Sequence, residues 1–186
     1  MKTKKWTFLL TTIATLSLVT ACAQSTSNTT TSNTATTTTS TTKAKKTSYF
    51  TDKDYDTSYD EKTASTVTLS GASATVSGDG VAVSDSTVTI SKSGTYVISG
   101  QSDGVQIKIE AEKTDDVHLV LNGVTMTNTN ATISAKSAGH VYLTLADGTT
   151  NSLSDSATNS DEKADAALFS KVDLTINGKG TLNVDG

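Results

Sequence analysis

The sequence predicts an all-β fold, a right-handed parallel β-helix present in part, preceded by a signal peptide and a disordered linker. Three observations predict it. From Thr66 onward the chain is a series of short runs rich in Val, Ile, Leu and Thr, broken by Gly, Asp and Asn, and such residues suit a pleated, half-buried surface. No helical periodicity survives beyond a turn, and the chain contains no proline. Finally, a strand-and-bend unit recurs along the second half of the chain.

Residues 1–21 read as a signal peptide. Lys2, Lys4 and Lys5 form a basic start, and Trp6 to Val19 is mostly apolar or small, an h-region of roughly the 7–15 residues expected. The run is too short and too diluted by Thr and Ser for a spanning helix, which needs about 20 apolar residues. It ends in Val19-Thr20-Ala21-Cys22, which resembles the lipobox of bacterial lipoproteins. That resemblance implies cleavage behind Ala21, acylation of the Cys22 thiol, and a lipid anchor in the cell membrane on its extracellular side. Cys22 is the only cysteine, so no internal disulfide can form. Removing residues 1–21 takes away three lysines and no acid, moving the net charge from −4 to −7.

Residues 22–65 then read as the lipidated cysteine and a linker. Ala23 to Ser48 is almost entirely Thr, Ser, Asn and Ala, with Lys43, Lys45 and Lys46 near its end. It has no large apolar residue to bury, so backbone entropy keeps it disordered, as suits a spacer that holds a domain clear of the envelope. Tyr49 to Glu61, YFTDKDYDTSYDE, reads as an irregular, solvated lead-in that docks loosely on the first strands. From Tyr49 onward there are nine lysines, no arginine and nineteen acids, a balance of −10. That argues against nucleic acid as a partner, because phosphate neutralisation needs clustered Lys or Arg. It also disfavours an acidic polysaccharide unless a metal ion bridges, and it suits hard cations such as calcium.

Residues 66–186 read as the domain. Its runs are VTL, ATVS, VAV, STVTI, TYVIS, VQIKI, VHLVL, VTM, ATIS, VYLTL, ALF, VDLTI and TLNV. Asp116–Asn128, His140–Asn151 and Lys171–Asn183 share a pattern x-V-x-L-x-L/I, a Gly-containing bend, and a second short strand. Val117, Val141 and Val172 are 24 and 31 residues apart, and the longer interval holds a polar insertion from Thr149 to Lys163. Val88, 29 residues before Val117, reads as the same unit. Alternation points Val117, Leu119 and Leu121 to one face, and His118, Val120 and Asn122 to the other. One such strand buries too little to persist alone, whereas stacked copies give each inward side chain a neighbour at about 4.8 Å. A β-sandwich is the alternative architecture, although it would not usually repeat a rung at this period.

The segments ISKSGTYVISG (90–100), VHLVLNGVTMTN (117–128), VYLTLADGTTNSLSD (141–155) and ADAALFSKVDLTINGKGTLNV (164–184) occur in order. On these the chain resembles, over about residues 66–186, the bacterial carbohydrate-binding domain-containing proteins that fold as β-helices like polysaccharide lyases. The resemblance implies a calcium-associated binder of plant cell-wall polysaccharide, such as cellulose or pectin, displayed at the bacterial surface. Members typically run to several further rungs. This chain stops at Gly186 directly after a rung, without a terminal cap, so a truncated product or fragment is expected.

Candidate chemistry concentrates in the insertion. Asp147, Asp155, Asp161, Glu162 and Asp165, with Asn151 and Asn159, offer the hard oxygens calcium takes in sets of six to eight. No EF-hand spacing is present, and a solvated acidic loop is the competing reading. Asp115 and Asp116 form a second acidic corner, either a turn or a metal site. Asn122-Gly123 and Asn177-Gly178 read as turn residues, since both types tolerate left-handed backbone. His118 and His140 lack any triad arrangement and read as packed or solvated. Stacking on sugar wants exposed aromatics; Tyr142, on the outward register, is the platform candidate. Tyr96 is platform or core, and Phe169 beside Leu168 reads as core. A β-helix lyase needs a basic side chain, commonly Arg, to abstract a proton, and this chain has none; Lys136 and Lys171 remain as possible bases. The reading is therefore a non-enzymatic polysaccharide binder, with a structural stalk or protein-binding adhesin as the alternative.

Overall fold

The computed structural model describes residues 49–156 and 163–186. The segments read from sequence as signal peptide and linker up to Ser48, with Cys22, and also Asp161 and Glu162, lie outside the described residues. Among the described residues, thirteen strands follow one 3₁₀ turn, Asp52–Tyr55: β1 (Ser65–Gly71), β2 (Ser73–Ser77), β3 (Val81–Ser84), β4 (Thr87–Ile90), β5 (Gly94–Asp103), β6 (Gln106–Glu110), β7 (Asp116–Asn128), β8 (Ile133–Ser137), β9 (His140–Leu145), β10 (Thr150–Asp155), β11 (Leu168–Ser170), β12 (Asp173–Gly178) and β13 (Thr181–Asp185). None of the described helical turns is long and apolar enough to cross a membrane.

The strands stack as a parallel β-helix. Sheet A runs β12-β9-β7-β5-β1-β2, with β10 joining β7 and β13 beside it; sheet B runs β11-β8-β6-β4-β3. The chain passes from one sheet to the other and back, and successive passes pair in parallel. Only the first two neighbours break that rule: β2 returns antiparallel on β1, and β3 antiparallel on β4, closing one edge of each sheet.

Identical inward positions make the core. Val67, Ile98, Leu121 and Leu145 stand in register across four strands of sheet A. So do Tyr96, Leu119, Leu143 and Ile176. Facing them, Val88, Ile107, Ile133 and Leu168 line sheet B. Leu119, Leu121, Ile107 and Ile109 are wholly buried, each burial worth about 1.5–3 kcal/mol against exposure. In the last coil the inward set is less covered, with Ile176 48% and Val184 53% exposed. Glycine marks the close approach of successive coils at two places. Gly100 (φ +93°) and Gly178 (φ +100°) each lie against the backbone carbonyl of the preceding coil, Leu69 and Leu145, where a Cβ would collide with it.

Three sequence expectations are corrected by this register. Val88 lies in sheet B on β4, so it stacks on Ile107 rather than opening the unit that Val117 begins. The third repeat is slipped by two residues: Leu174, not Val172, pairs with Val141. A slip of two keeps every side chain on its own face, so the hydrophobic pattern cannot distinguish the registers. Finally, the insertion does not start at Thr149. Thr150–Asp155 is strand β10, with Leu153 buried and paired to Met126. Asn151 is fully buried there; its carbonyl oxygen accepts from the Val124 N–H at 2.9 Å, and its amide donates to the Thr181 carbonyl at 3.2 Å. It ties three coils together where β7 carries a bulge between Leu121 and Val124.

Candidate functional site

The outer face of sheet A carries side chains in rows. Thr95, His118, Tyr142 and Thr175 pair in register across β5, β7, β9 and β12. Val97, Val120, Thr144 and Asn177 form the next row, and Asp116, His140 and Asp173 the row at the strand starts. Hydrogen bonds link them, running diagonally from each histidine to the next row. His118 Nε2 lies 2.7 Å from the Thr144 hydroxyl, which donates its proton to Asn177 Oδ1 at 2.6 Å. His140 Nε2 lies 2.9 Å from the Thr175 hydroxyl, which donates to Asp54 Oδ1 at 2.5 Å. A hydroxyl has one proton to give, so in both relays the imidazole Nε2–H is the donor. Neither histidine is placed as a catalytic base; both are packed, and His140 also stacks on Tyr142 with ring centres 4.2 Å apart.

Residues 49–59 lie across these rows as a strap. Asp54 is its anchor: one carboxylate oxygen accepts from the Thr51 N–H (2.7 Å) and hydroxyl (2.8 Å), and the other from Thr175. The Thr175 hydrogen bond, followed by those from Thr51, lowers the Asp54 pKa to about 2. The Asn177 amide donates to the carbonyls of Asp54 and Asp56, at 3.1 and 3.2 Å. Lys53 pairs with Asp116 at 2.5 Å and sits 5.0 Å from the centre of the Tyr142 ring. Tyr59 meets His118 edge-on. Burial holds the His118 pKa below its ordinary value, a shift that Asp56 opposes. The lead-in thus docks on β7, β9 and β12 rather than on the first strands, and its contacts are specific. Its signal in the sequence was the Thr51–Asp54 spacing, a capping pattern around a short turn.

The strap leaves open clefts on either side of Tyr142. One, of about 240 Å³, is bordered by Lys53, Asp56, Thr95, Asp116, His118 and Tyr142. Another, of about 400 Å³, is bordered by Tyr49, Phe50, His140, Tyr142, Asp173 and Thr175. Both offer carboxylates, hydroxyls and imidazole edges beside aromatic rings, the mixture that binds polyhydroxylated ligands.

A family model described as carbohydrate-binding domain-containing protein matches residues 84–186, more than half of the chain. The chain belongs to that family. It is 41% identical over 102 residues to a carbohydrate-binding domain-containing protein of Acetivibrio thermocellus, covering 52% of this chain and 36% of that one. Among solved structures, it is similar to the polysaccharide lyase-like protein from C. thermocellum in its gadolinium derivative. That likeness has a TM-score of 0.59 and 36% sequence identity, over 64% of this chain and 51% of the other. The chain therefore spans about a third to a half of the length of the relatives it matches.

Within this carbohydrate-binding family member, the residues singled out from sequence fall in different places. Tyr142 is on the outer face as its register requires, but 8% exposed, held between His140 and Lys53. Its phenol pKa is raised by burial. Tyr96 is core, its hydroxyl donating to the Lys92 carbonyl at 2.8 Å. Phe169 is not core: it pairs with the outward Ser134 of β8, while Leu168 takes the inward position. The ammonium groups of Lys136 and Lys171 lie 4.9 and 5.9 Å from its ring centre. Asp147 lies in the turn after β9, beside Thr57, Tyr59 and Lys179; Asp155 ends β10; Asp165 is exposed before β11. Among the described residues no three His, Cys, Asp or Glu side chains come together. Asp147, Asp155 and Asp165 therefore form no calcium cradle by themselves. Asp115 accepts from the Ser93 N–H and Asp116 pairs with Lys53, both structural contacts.

Proposed function

We propose that this chain is a surface-anchored lipoprotein, lipidated at Cys22, that binds plant cell-wall polysaccharide without catalysis. The observation that carries the reading is the pair of open clefts flanking Tyr142, lined by rings, hydroxyls and carboxylates on a member of a carbohydrate-binding family. The anchor is supported by the lipobox-like Val19-Thr20-Ala21-Cys22 alone. Cellulose and pectin are the two glycans proposed. Calcium is proposed as a bridging ion for pectin, with Asp147, Asp155, Asp161, Glu162 and Asp165 as its oxygen donors. Its support is the composition of the insertion rather than an assembled site.

Against a lyase, the chain has no arginine. The two lysines that could serve as bases each rest over Phe169, where the ring face engages the ammonium. The relative described as polysaccharide lyase-like keeps that activity as the second reading. The test is retention of the full chain on cellulose and on pectate, with calcium and with chelator. Binding to pectate that requires calcium supports the bridge, and binding that ignores it removes the ion from the reading. Retention on neither polymer rejects the glycan-binding function. Growth of the unsaturated-uronate absorbance on pectate rejects the non-enzymatic one.

A further inference from the structure

We infer that the glycan-facing surface is the strap itself: Phe50 and Tyr55 stack on the sugar rings of an uncharged β-linked glucan, without a metal. This rests on the glycan-binding reading and names its site and substrate class. The family match begins at residue 84, so the strap is a feature of this chain outside the matched region.

Three large aromatic side chains are strongly exposed among the described residues: Tyr49 (98%), Phe50 (59%) and Tyr55 (62%). All lie on the strap. Tyr59, Tyr96, Tyr142 and Phe169 are instead packed against His118, the core, His140 or lysine. Clustered exposed apolar surface of this kind marks a binding patch. Phe50 and Tyr55 meet at 6.1 Å between ring centres and 68° between planes, so two ring faces stand at an angle rather than covering each other. The turn that carries Tyr55 is fixed from beneath by Asp54, Lys53 and the Asn177 amide. The rings are thus presented on a pinned backbone, and little ordering is left for the moment of binding. Below Tyr49 and Phe50, the 400 Å³ cleft brings Asp173, Thr175 and His140 within reach of the next sugar's hydroxyls, and its size falls within the range of small-ligand sites.

Charge selects the occupant. Between Tyr49 and Glu61 stand Asp52, Asp54, Asp56, Asp60 and Glu61 against Lys53 and no other cation, and Asp116 and Asp173 lie on the sheet beneath. Bringing a uronate carboxylate onto this surface places like charges together, whereas a glucan brings hydroxyl donors that carboxylates accept.

The experiment titrates the full chain with cellohexaose, following aromatic ¹H–¹³C shifts and depletion onto cellulose, for wild type, Phe50→Leu and Tyr55→Leu. Leucine keeps an apolar side chain and removes the ring, and both positions are exposed, so folding is not at stake. Each variant is expected to bind ~3- to 10-fold more weakly, as loss of one aromatic stack predicts, and wild-type binding is expected to survive chelator. Variants that bind cellulose as tightly as wild type overturn the inference. So does wild type held by pectate and not by cellulose, which leaves the glycan-binding reading standing. Wild type held by neither polymer fails both. Self-association abolished by Tyr55→Leu, with no cellohexaose shift, assigns the patch to a second copy instead.

Discussion

On the inner face of sheet A, Tyr96, Leu119, Leu143 and Ile176 meet one requirement coil after coil, while one position along, on the outer face, Thr95, His118, Tyr142 and Thr175 meet four different ones. Stacking alone dictates the inner row, because every member needs only a neighbour above and below. The outer row is dictated by a segment remote in sequence, since the strap residues Asp54 and Asp56 reach Thr175 and Asn177 across more than 120 positions. The first is a repeating constraint and the second a single event.

The largest effect is expected from breaking the inner row. Leu119→Ala removes a fully buried side chain between Tyr96 and Leu143 and should destabilise the domain by about 2–5 kcal/mol, measured by urea unfolding. A loss below ~1 kcal/mol would show that the coils relax into the cavity and are not close-packed.

Legibility in the sequence follows the same division. Twelve of the thirteen strands lie under runs visible as alternating Val, Leu, Ile and Thr, because sheet pairing and burial act on period two. Strand β10 was missed because its only buried aliphatic is Leu153, while its buried Asn151 reads as a polar loop residue. The two-residue slip of β12 escaped because both registers bury the same face. Tyr142 was placed on its correct face by alternation, yet its cover was invisible: YFTDKDYDTSYDE carries no periodic pattern and declares its partners only when the coils assemble. Phe169 was misread because an adjacent Leu suggested a buried run, where the strand in fact alternates.

A middle-sized effect is expected at the anchor of the strap. Asp54→Ala leaves the Thr175 hydroxyl without its acceptor and removes both Thr51 contacts. Amide exchange from Thr51 to Ser58 should accelerate while the strands keep their protection, because the strap opens without the coils. Uniform acceleration throughout would mean that the strap and the helix are one cooperative unit.

Acid should reproduce that opening in two stages. His118 has its pKa lowered by burial, so its contribution is present above its unfolded value of 6.5 and lost as pH falls through the lower folded one. Asp54, with a folded pKa of about 2 against 3.8, stabilises above about pH 4 and loses that contribution as pH falls from there towards 2. Strap amide and Tyr59 ring shifts followed from pH 8 to 2 should therefore move first through His118 and then through Asp54. A single transition would show that one group alone holds the strap.

The smallest effect is expected at Tyr142→Phe. The ring carries this residue's contacts: it stacks on His140 at 9° between planes and lies beneath the Lys53 ammonium. Removing only the hydroxyl leaves both, so stability should stay within about 0.5 kcal/mol of wild type and the strap should remain closed. Tyr142→Ala removes the floor that both clefts share and should loosen Lys53 as well as the His140 stack. If the phenylalanine variant instead behaved like the alanine one, the hydroxyl would be the working group at the centre of the outer row. The contrast between faces would then sharpen further, with an inner face set by shape and an outer face set atom by atom.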